Sequence, residues 1–197
     1  TVYNDANHSG LRDAGENSPN IAGIYAKLFR SSDLTTMLSV TSVVQSSGTY
    51  TFPIVPPNDT YTIILSSTNT ATYDPSFPNI QWVATGPANY TLSGVAVGGS
   101  ALGNQNFGVF NGTRIDGQVL KDDGAAISAN ANNGVQNAGE TGITGQTVSV
   151  CDNASCVAID TEPTDANGFF SLYVPWSTVL TTARITQTTM PAGYSMV

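Results

Sequence analysis

The stretch DANHSGLRDAGENSPNIAGIYAKLF, residues 5–29, decides the fold of this chain. Its first half places oxygen-bearing side chains every two or three residues around a glycine. Its second half alternates Ile24, Ala26 and Leu28 on one face. Alternation with a period of two is typical of a half-buried β-strand. The stretch therefore predicts a polar loop that leads into a strand.

Short alternating segments recur along the rest of the chain, and Gly, Pro and Asn turns separate them. No segment shows the 3.6-residue periodicity of a capped amphipathic helix. The pattern predicts an all-β protein built as a sandwich or barrel. The predicted strands are GTYTFPIV (48–55), TYTIIL (60–65), NFGVF (106–110), RIDGQVL (114–120), TVSVC (147–151), CVAID (156–160), GFFSLYV (168–174) and ARIT (183–186).

The order of these elements repeats, so the sequence predicts two copies of one sandwich. The boundary lies near residues 111–114, which gives a first domain at 1–112 and a second at 113–197. The second copy stops soon after ARIT and has no counterpart of NFGVF. It is therefore expected to lack its last strand. Either the sequence is an excerpt from a longer array, or the open sheet edge pairs with a strand of a neighbouring subunit.

Composition excludes several classes of partner. The chain has 197 residues, with 14 Asp and Glu against 6 Lys and Arg, for a net charge of −8. Such a chain repels nucleic acid and anionic membranes and attracts cations. It contains no apolar run of about 18 residues, so we expect no membrane insertion. The low content of charged residues and the many Thr, Ser, Asn and Gly suit an extracellular or cell-surface β protein.

The first polar loop matches the twelve-residue calcium pattern D-x-[DN]-x-[DNS]-G-x5-E. A calcium ion needs six or seven oxygens around one point, so alternate side chains must turn inward, and Gly10 permits the sharp turn. Because strands and not helices flank the loop, we expect an EF-hand-like loop carried by a sheet. The predicted ligands are Asp5, Asn7, Ser9, the backbone carbonyl of Leu11, Asp13 and Glu16.

The second copy of the loop has diverged. Counting back from Glu140 leaves Ala131 and Ala129 at positions that need an oxygen ligand. The arm before the loop is seven residues longer, however, so Asp122 or Asp123 can still reach an ion. A second calcium site and an ordinary polar loop both remain open. The candidate ligands are Asp122, Asp123, Asn133, Val135, Asn137 and Glu140.

The two cysteines flank a four-residue turn in TVSVCDNASCVAID, residues 147–160. Opposed positions of a β-hairpin bring Cβ atoms close enough for a disulfide, so we predict a Cys151–Cys156 bond and an oxidising compartment. The spacing does not match a CxxC metal or redox pair. A third acidic segment, IDTEPTDANG (159–168), is interpreted as a turn, with a surface ion site as the alternative.

Both halves resemble the B-type repeats of the staphylococcal serine-aspartate-repeat adhesins, which are relatives of the collagen-adhesin B-type domain. The resemblance covers most of the chain and rests on VYNDANHSGLRDAGE followed by IAGIYAKL, on GTYTFPIVP, IDGQVL, AGETGITGQTVSV and TDANGFF, and on PAGY. It implies immunoglobulin-like β-sandwiches, bound calcium that stiffens them, and the role of a rod or spacer in a bacterial surface protein.

Two classes of function follow. The first is a non-catalytic structural unit of a surface protein or filament that associates with itself or with neighbouring repeats. The second is an adhesin module that binds a carbohydrate or a host protein, for which Trp82 and Trp176 could form a sugar platform. We expect both tryptophans to be buried instead. With the cysteines paired and His8 the only histidine, no nucleophilic catalytic set can be assembled.

Overall fold

A computed structural model of the chain describes residues 1–152, 157–178 and 183–187. The chain divides into two compact units, Thr1–Gly112 and Thr113–Val197. In the described residues nearly all regular structure is β, and the helices are single 3-10 turns such as Ala88–Tyr90. None of these helices is long and apolar enough to cross a membrane. The all-β prediction is therefore confirmed.

Seven strands build the first unit, and the last of them continues into the second. They are β1 (Val2–Asn4), β2 (Tyr25–Arg30), β3 (Asp33–Ser42), β4 (Asp59–Ser66), β5 (Trp82–Gly86), β6 (Thr91–Val97) and β7 (Phe107–Gln118). One sheet has the order β3-β2-β4-β6. In the other, β7 lies between β1, which runs parallel to it, and β5, which runs antiparallel.

The core of the first unit lies between these two sheets. Val2, Phe107 and Val109 contribute from the sheet that contains β7. The facing sheet contributes alternating residues of β2 and β4, so the predicted alternation faces the core as expected. They are Ala26, Leu28, Tyr61, Ile63 and Leu65.

The second unit contains the end of β7 and four further strands in its described residues. They are β8 (Thr147–Asp152), β9 (Ala158–Pro163), β10 (Phe169–Pro175) and β11 (Ala183–Gln187). β8 lies between β11 and β9, antiparallel to both, while β10 is the neighbour of β7 in this unit. Its core includes Val148, Val150, Leu172 and Val174.

The segment predicted as a strand at 48–55 is not one. Tyr50 and Phe52 pack against the first core, but Ile54 is 85% exposed and the backbone is irregular. Pro53 and Pro56 explain the difference, because a proline has no N–H to donate to a ladder. NFGVF and RIDGQVL were predicted as separate strands, whereas the structure joins them in β7.

Candidate calcium loops

Asp5 organises the first loop from a fully buried position at the end of β1. Its Oδ1 accepts a hydrogen bond from the Ser9 N–H at 3.0 Å, and its Oδ2 accepts one from the Gly10 N–H at 2.8 Å. Gly10 has φ +72°, the left-handed conformation that glycine adopts without strain. The carboxylate therefore holds the sharp turn that the calcium pattern requires.

Four of the six predicted ligands converge on one another. The Asn7 Nδ2 donates to Asp13 Oδ2 at 2.9 Å. The Ser9 hydroxyl lies 3.1 Å from the Leu11 carbonyl oxygen and 3.3 Å from the same Asp13 oxygen. The Asn7 amide, the Ser9 hydroxyl, the Leu11 carbonyl and the Asp13 carboxylate thus lie around one point, and each group carries an oxygen of the kind that a hard cation binds.

Glu16 closes the loop by accepting hydrogen bonds from both ends of it. Its Oε1 accepts from the Ala6 N–H at 3.2 Å, and its Oε2 accepts from the Asp13 N–H at 2.8 Å. The last predicted ligand is therefore positioned by the backbone beside the first and the fifth. With Asp5 and Asp13 it gives the loop three carboxylates and only oxygen donors, a set that fits calcium.

The electrostatics at this loop are those of an anionic site. The phenol of Tyr3 lies beside it, buried to 1% exposure. Burial and, after it, the charges of Asp5, Glu16 and Asp13 together raise the pKa of Tyr3 to about 12. The neighbourhood disfavours any additional negative charge, and a bound cation would relieve that repulsion.

In the second unit, Asp122 occupies the position that Asp5 holds in the first. Its Oδ2 accepts from the Gly134 N–H at 2.8 Å, and its backbone carbonyl accepts from the Asn132 N–H at 3.1 Å. The corresponding bond from His8 to the Asp5 carbonyl is 3.3 Å. The inserted residues between Asp122 and Asn132 thus leave the loop and return to it. Asp122 therefore stands at the first position of the calcium pattern.

Asp123 is not brought into the loop. Its Oδ2 pairs with the Lys121 ammonium at 2.7 Å, and its Oδ1 accepts from the Ala125 N–H at 3.1 Å. The hydrogen bond and charge of Lys121, with that backbone donor, lower the pKa of Asp123. Of the two candidates, only Asp122 faces the other ligands.

Glu140 reproduces both contacts of Glu16. Its Oε2 accepts from the Asn137 N–H at 2.7 Å, and its Oε1 accepts from the Gly124 N–H at 3.0 Å. Gly124 takes the place of Ala6 as the N–H donor, because the insertion changes which residue lies beside the glutamate. The two loops therefore share the same frame of hydrogen bonds to their first aspartate and last glutamate, despite the insertion.

The remaining candidate ligands of the second loop gather around Asn137. Its Nδ2 donates to the Val135 carbonyl at 2.7 Å and lies 3.3 Å from Asn133 Oδ1. It also lies 3.5 Å from the Asn130 carbonyl, near where the first loop has Asn7. Sequence reasoning missed Asn130, because it falls between the ligand positions that were counted back from Glu140.

One oxygen of the second loop lacks a partner. Asp122 Oδ1 is buried and makes no hydrogen bond, whereas both oxygens of Asp5 accept one. An unpaired buried carboxylate oxygen is costly, and a cation at this position would satisfy it. The second loop carries two carboxylates where the first has three, so we expect it to bind calcium more weakly.

Other sequence predictions have mixed outcomes. Cys151 is buried at the end of β8 and β9 pairs with β8, but Cys156 lies outside the described residues, so the disulfide stays a prediction. Asp165 accepts from the N–H groups of Asn167 and Phe169, so the DANG part of the third acidic segment is a turn as expected, whereas residues 159–163 belong to β9. Trp82 packs against the first core, whereas Trp176 is 51% exposed, so that part of the expectation was wrong.

Comparison with known proteins assigns no family. No known family and no curated protein matches the chain. Among solved structures it is similar to one described as "Structure of the Streptococcal ancillary pilin", with 12% sequence identity and a TM-score of 0.29. The similarity covers 90% of this chain and 56% of the pilin chain, so this chain spans about half of that length. A likeness this slight carries no argument about function.

Proposed function

We propose that the chain is a non-catalytic structural unit of an extracellular surface protein or filament, stiffened by calcium in both loops. The convergence of Asn7, Ser9, Leu11 and Asp13 in the first loop is the observation that carries the proposal. The recurrence of the same frame around Asp122 and Glu140 supports it, because two unrelated polar turns have no reason to share these contacts.

Calcium would act by cross-linking loop segments that hydrogen bonds to Asp5 and Glu16, and to Asp122 and Glu140, already hold together. In the first loop the ion would be held by Asp5, Asn7, Ser9, the Leu11 carbonyl, Asp13 and Glu16. In the second it would be held by Asp122, Asn133, the Val135 carbonyl, Asn137 and Glu140. Bound calcium supplies the positive charge that the clustered carboxylates need. Each loop is fixed to the strand that precedes it, so an ordered loop stabilises its sheet.

The test is calorimetric titration with calcium together with thermal unfolding in calcium and in excess EDTA. An ion that binds only the folded state stabilises it by RT ln(1 + [L]/Kd), about 2.7 kcal/mol at a hundred times Kd. We expect two binding events of unequal affinity and a lower melting temperature in EDTA. An unchanged melting temperature with no heat of binding would sink the proposal.

A further inference from the structure

Residues 119–121 of the second unit occupy the place of β1 in the first. Val2 N–H donates to the Gly48 carbonyl at 2.7 Å, and Val119 N–H donates to the Gly168 carbonyl at 2.8 Å. Further along, Lys121 N–H donates to the Thr141 carbonyl at 2.9 Å. Asn4, two residues after Val2, donates its N–H to the loop of the first unit in the same way. One edge of this segment is therefore held in the same way in both units.

The other edge of β1 is covered by the last strand of the first unit. Phe107–Val109 of β7 runs parallel to it, with Val2 opposite Phe107. The Phe107 N–H donates to the Thr1 carbonyl at 2.8 Å, and the Asp5 N–H donates to the Val109 carbonyl at 2.9 Å. This strand buries Val2, Tyr3 and Asp5 almost completely.

In the second unit the corresponding edge is open within the residues that the structure describes there. No described strand covers it, and the N–H groups of Leu120 and Asp122 make no hydrogen bond to any residue of the described ranges. Val119, Leu120 and Asp122 are each partly exposed, although their counterparts in the first unit are buried. Unpaired edge N–H groups beside apolar side chains form a template for strand addition.

We infer that this edge takes a parallel strand from another polypeptide chain, in the register that Phe107–Val109 has on β1. The inference rests on the proposed function, since it supplies the contact by which such units assemble. The first residue of the guest strand lies opposite Val119 and donates its N–H to the Gln118 carbonyl. The carbonyl of its third residue accepts from the Asp122 N–H.

The chemistry of the guest follows from its counterpart. Phe107 and Val109 are buried, so the first and third guest residues are apolar. They would cover Val119, which lies at the margin of the second core with Ile115. The edge ends beside Asp122 and Asp123 in a chain of net charge −8, so the guest's flanks are neutral or basic.

Amide hydrogen exchange on the whole chain tests the inference. The probe is a peptide of residues 104–111, NQNFGVFN, and its control carries Phe107→Pro, which removes the N–H that bonds to the edge. We expect fast exchange at Leu120 and Asp122, against slow exchange at Tyr3 and Asp5. At peptide concentrations ten times Kd, the two open amides slow by about tenfold, because the slowing follows 1 + [L]/Kd. The control peptide leaves them unchanged.

Two results would overturn the inference. One is exchange at Leu120 and Asp122 as slow in the monomer as at Tyr3 and Asp5, which would mean that a single chain fills its own edge. The other is no slowing at millimolar peptide. Either result leaves the calcium titration of the first loop unaffected, so failure here is distinguishable from failure of the proposed function.

Discussion

At the scale of single residues, Lys27 shows how the first unit manages a buried charge. The side chain is fully buried, forms an ion pair with Asp74, and donates to the Thr72 carbonyl at 3.1 Å. Burial alone would raise the pKa of Asp74, but hydrogen bonds from Lys27 and two hydroxyls, with the lysine charge, outweigh it and lower the pKa. The loop that contains Asp74 is thereby tied to β2.

We expect Asp74→Asn to destabilise the first unit, because it leaves the Lys27 charge buried and uncompensated. Losing one partner of a buried pair costs about 3–5 kcal/mol, and the partial exposure of Asp74 reduces this to about 2–3 kcal/mol. Urea unfolding at pH 7 measures the change. The control, Asp59→Asn, breaks an exposed pair with Arg30 and should cost less than about 1 kcal/mol.

The same ion pair predicts a pH dependence. Because the folded-state pKa of Asp74 lies below its unfolded value of about 3.9, its contribution is complete above that pH. It is lost as the pH falls through the folded-state value. The stability difference between wild type and Asp74→Asn should therefore shrink in acid. An unchanged difference at pH 2 would contradict the assignment.

Asp122 and Asp123 offer a matched pair in the second loop. Asp122→Asn should weaken the lower-affinity calcium event severalfold, because it removes one of two carboxylates from the site. Asp123→Asn removes the same charge from a neighbour that faces Lys121 instead, so it should change the affinity little. Calorimetric titration of the two variants decides the matter, and equal effects would show that only net charge counts.

At the scale of elements, a glycine marks where β1 meets the irregular segment that follows β3. A Cβ on Gly48 would lie 1.9 Å from the Val2 carbonyl oxygen, and the residue has φ +67°. Gly168 repeats this approach against the Val119 carbonyl, at 2.4 Å. Both units therefore need a backbone without a side chain at this crossing.

We expect Gly48→Ala to cost considerably more stability than Gly23→Ala. Gly23 also has a positive φ, +77°, but a Cβ there would meet nothing within 4 Å. Gly23→Ala is the control, and it should lower the free energy of unfolding by about 1–2 kcal/mol for the left-handed conformation alone. The substitution at Gly48 adds a clash with backbone that cannot move aside. Comparable chemical denaturation midpoints for the two variants would contradict this account.

The elements also show what sequence can foresee. Strands with strong apolar alternation, such as β2 and β4, were predicted because their core-facing residues follow the period of two. β3 and β6 were missed, because their Thr, Ser and Gly resemble loop composition while sheet neighbours supply the stabilisation. In the second loop, the ligand spacing identified Glu140 and its neighbours. The position of Asp122 depends on how a nine-residue excursion folds back, which spacing does not reveal.

At the scale of the whole molecule, the two units differ in how much apolar surface they bury. The first core extends from β1 to the start of β7 and includes the fully buried Val2, Tyr61 and Leu65. In the described part of the second unit, Ile115, Val119 and Ile159 around the core remain partly exposed. Each fully buried side chain of this kind contributes about 1.5–3 kcal/mol, so the first unit should be the more stable.

We therefore expect heating to unfold the second unit first. Trp82 lies in the first unit and Trp176 in the second, which gives each its own fluorescence reporter. In a Trp82→Phe variant the remaining signal should change at a lower temperature than in Trp176→Phe. Coincident transitions would show instead that the chain unfolds as one cooperative body.

The excursion between Asp122 and Asn132 has a practical consequence for protein engineering. Its two ends are joined by a hydrogen bond of 3.1 Å, and the frame of the loop is the same as where only two residues separate Asp5 from His8. A chain that leaves and re-enters at adjacent points can carry foreign sequence at little entropic cost, since closure entropy grows slowly with length. The junction after Asp5 is accordingly a place to graft a peptide for display.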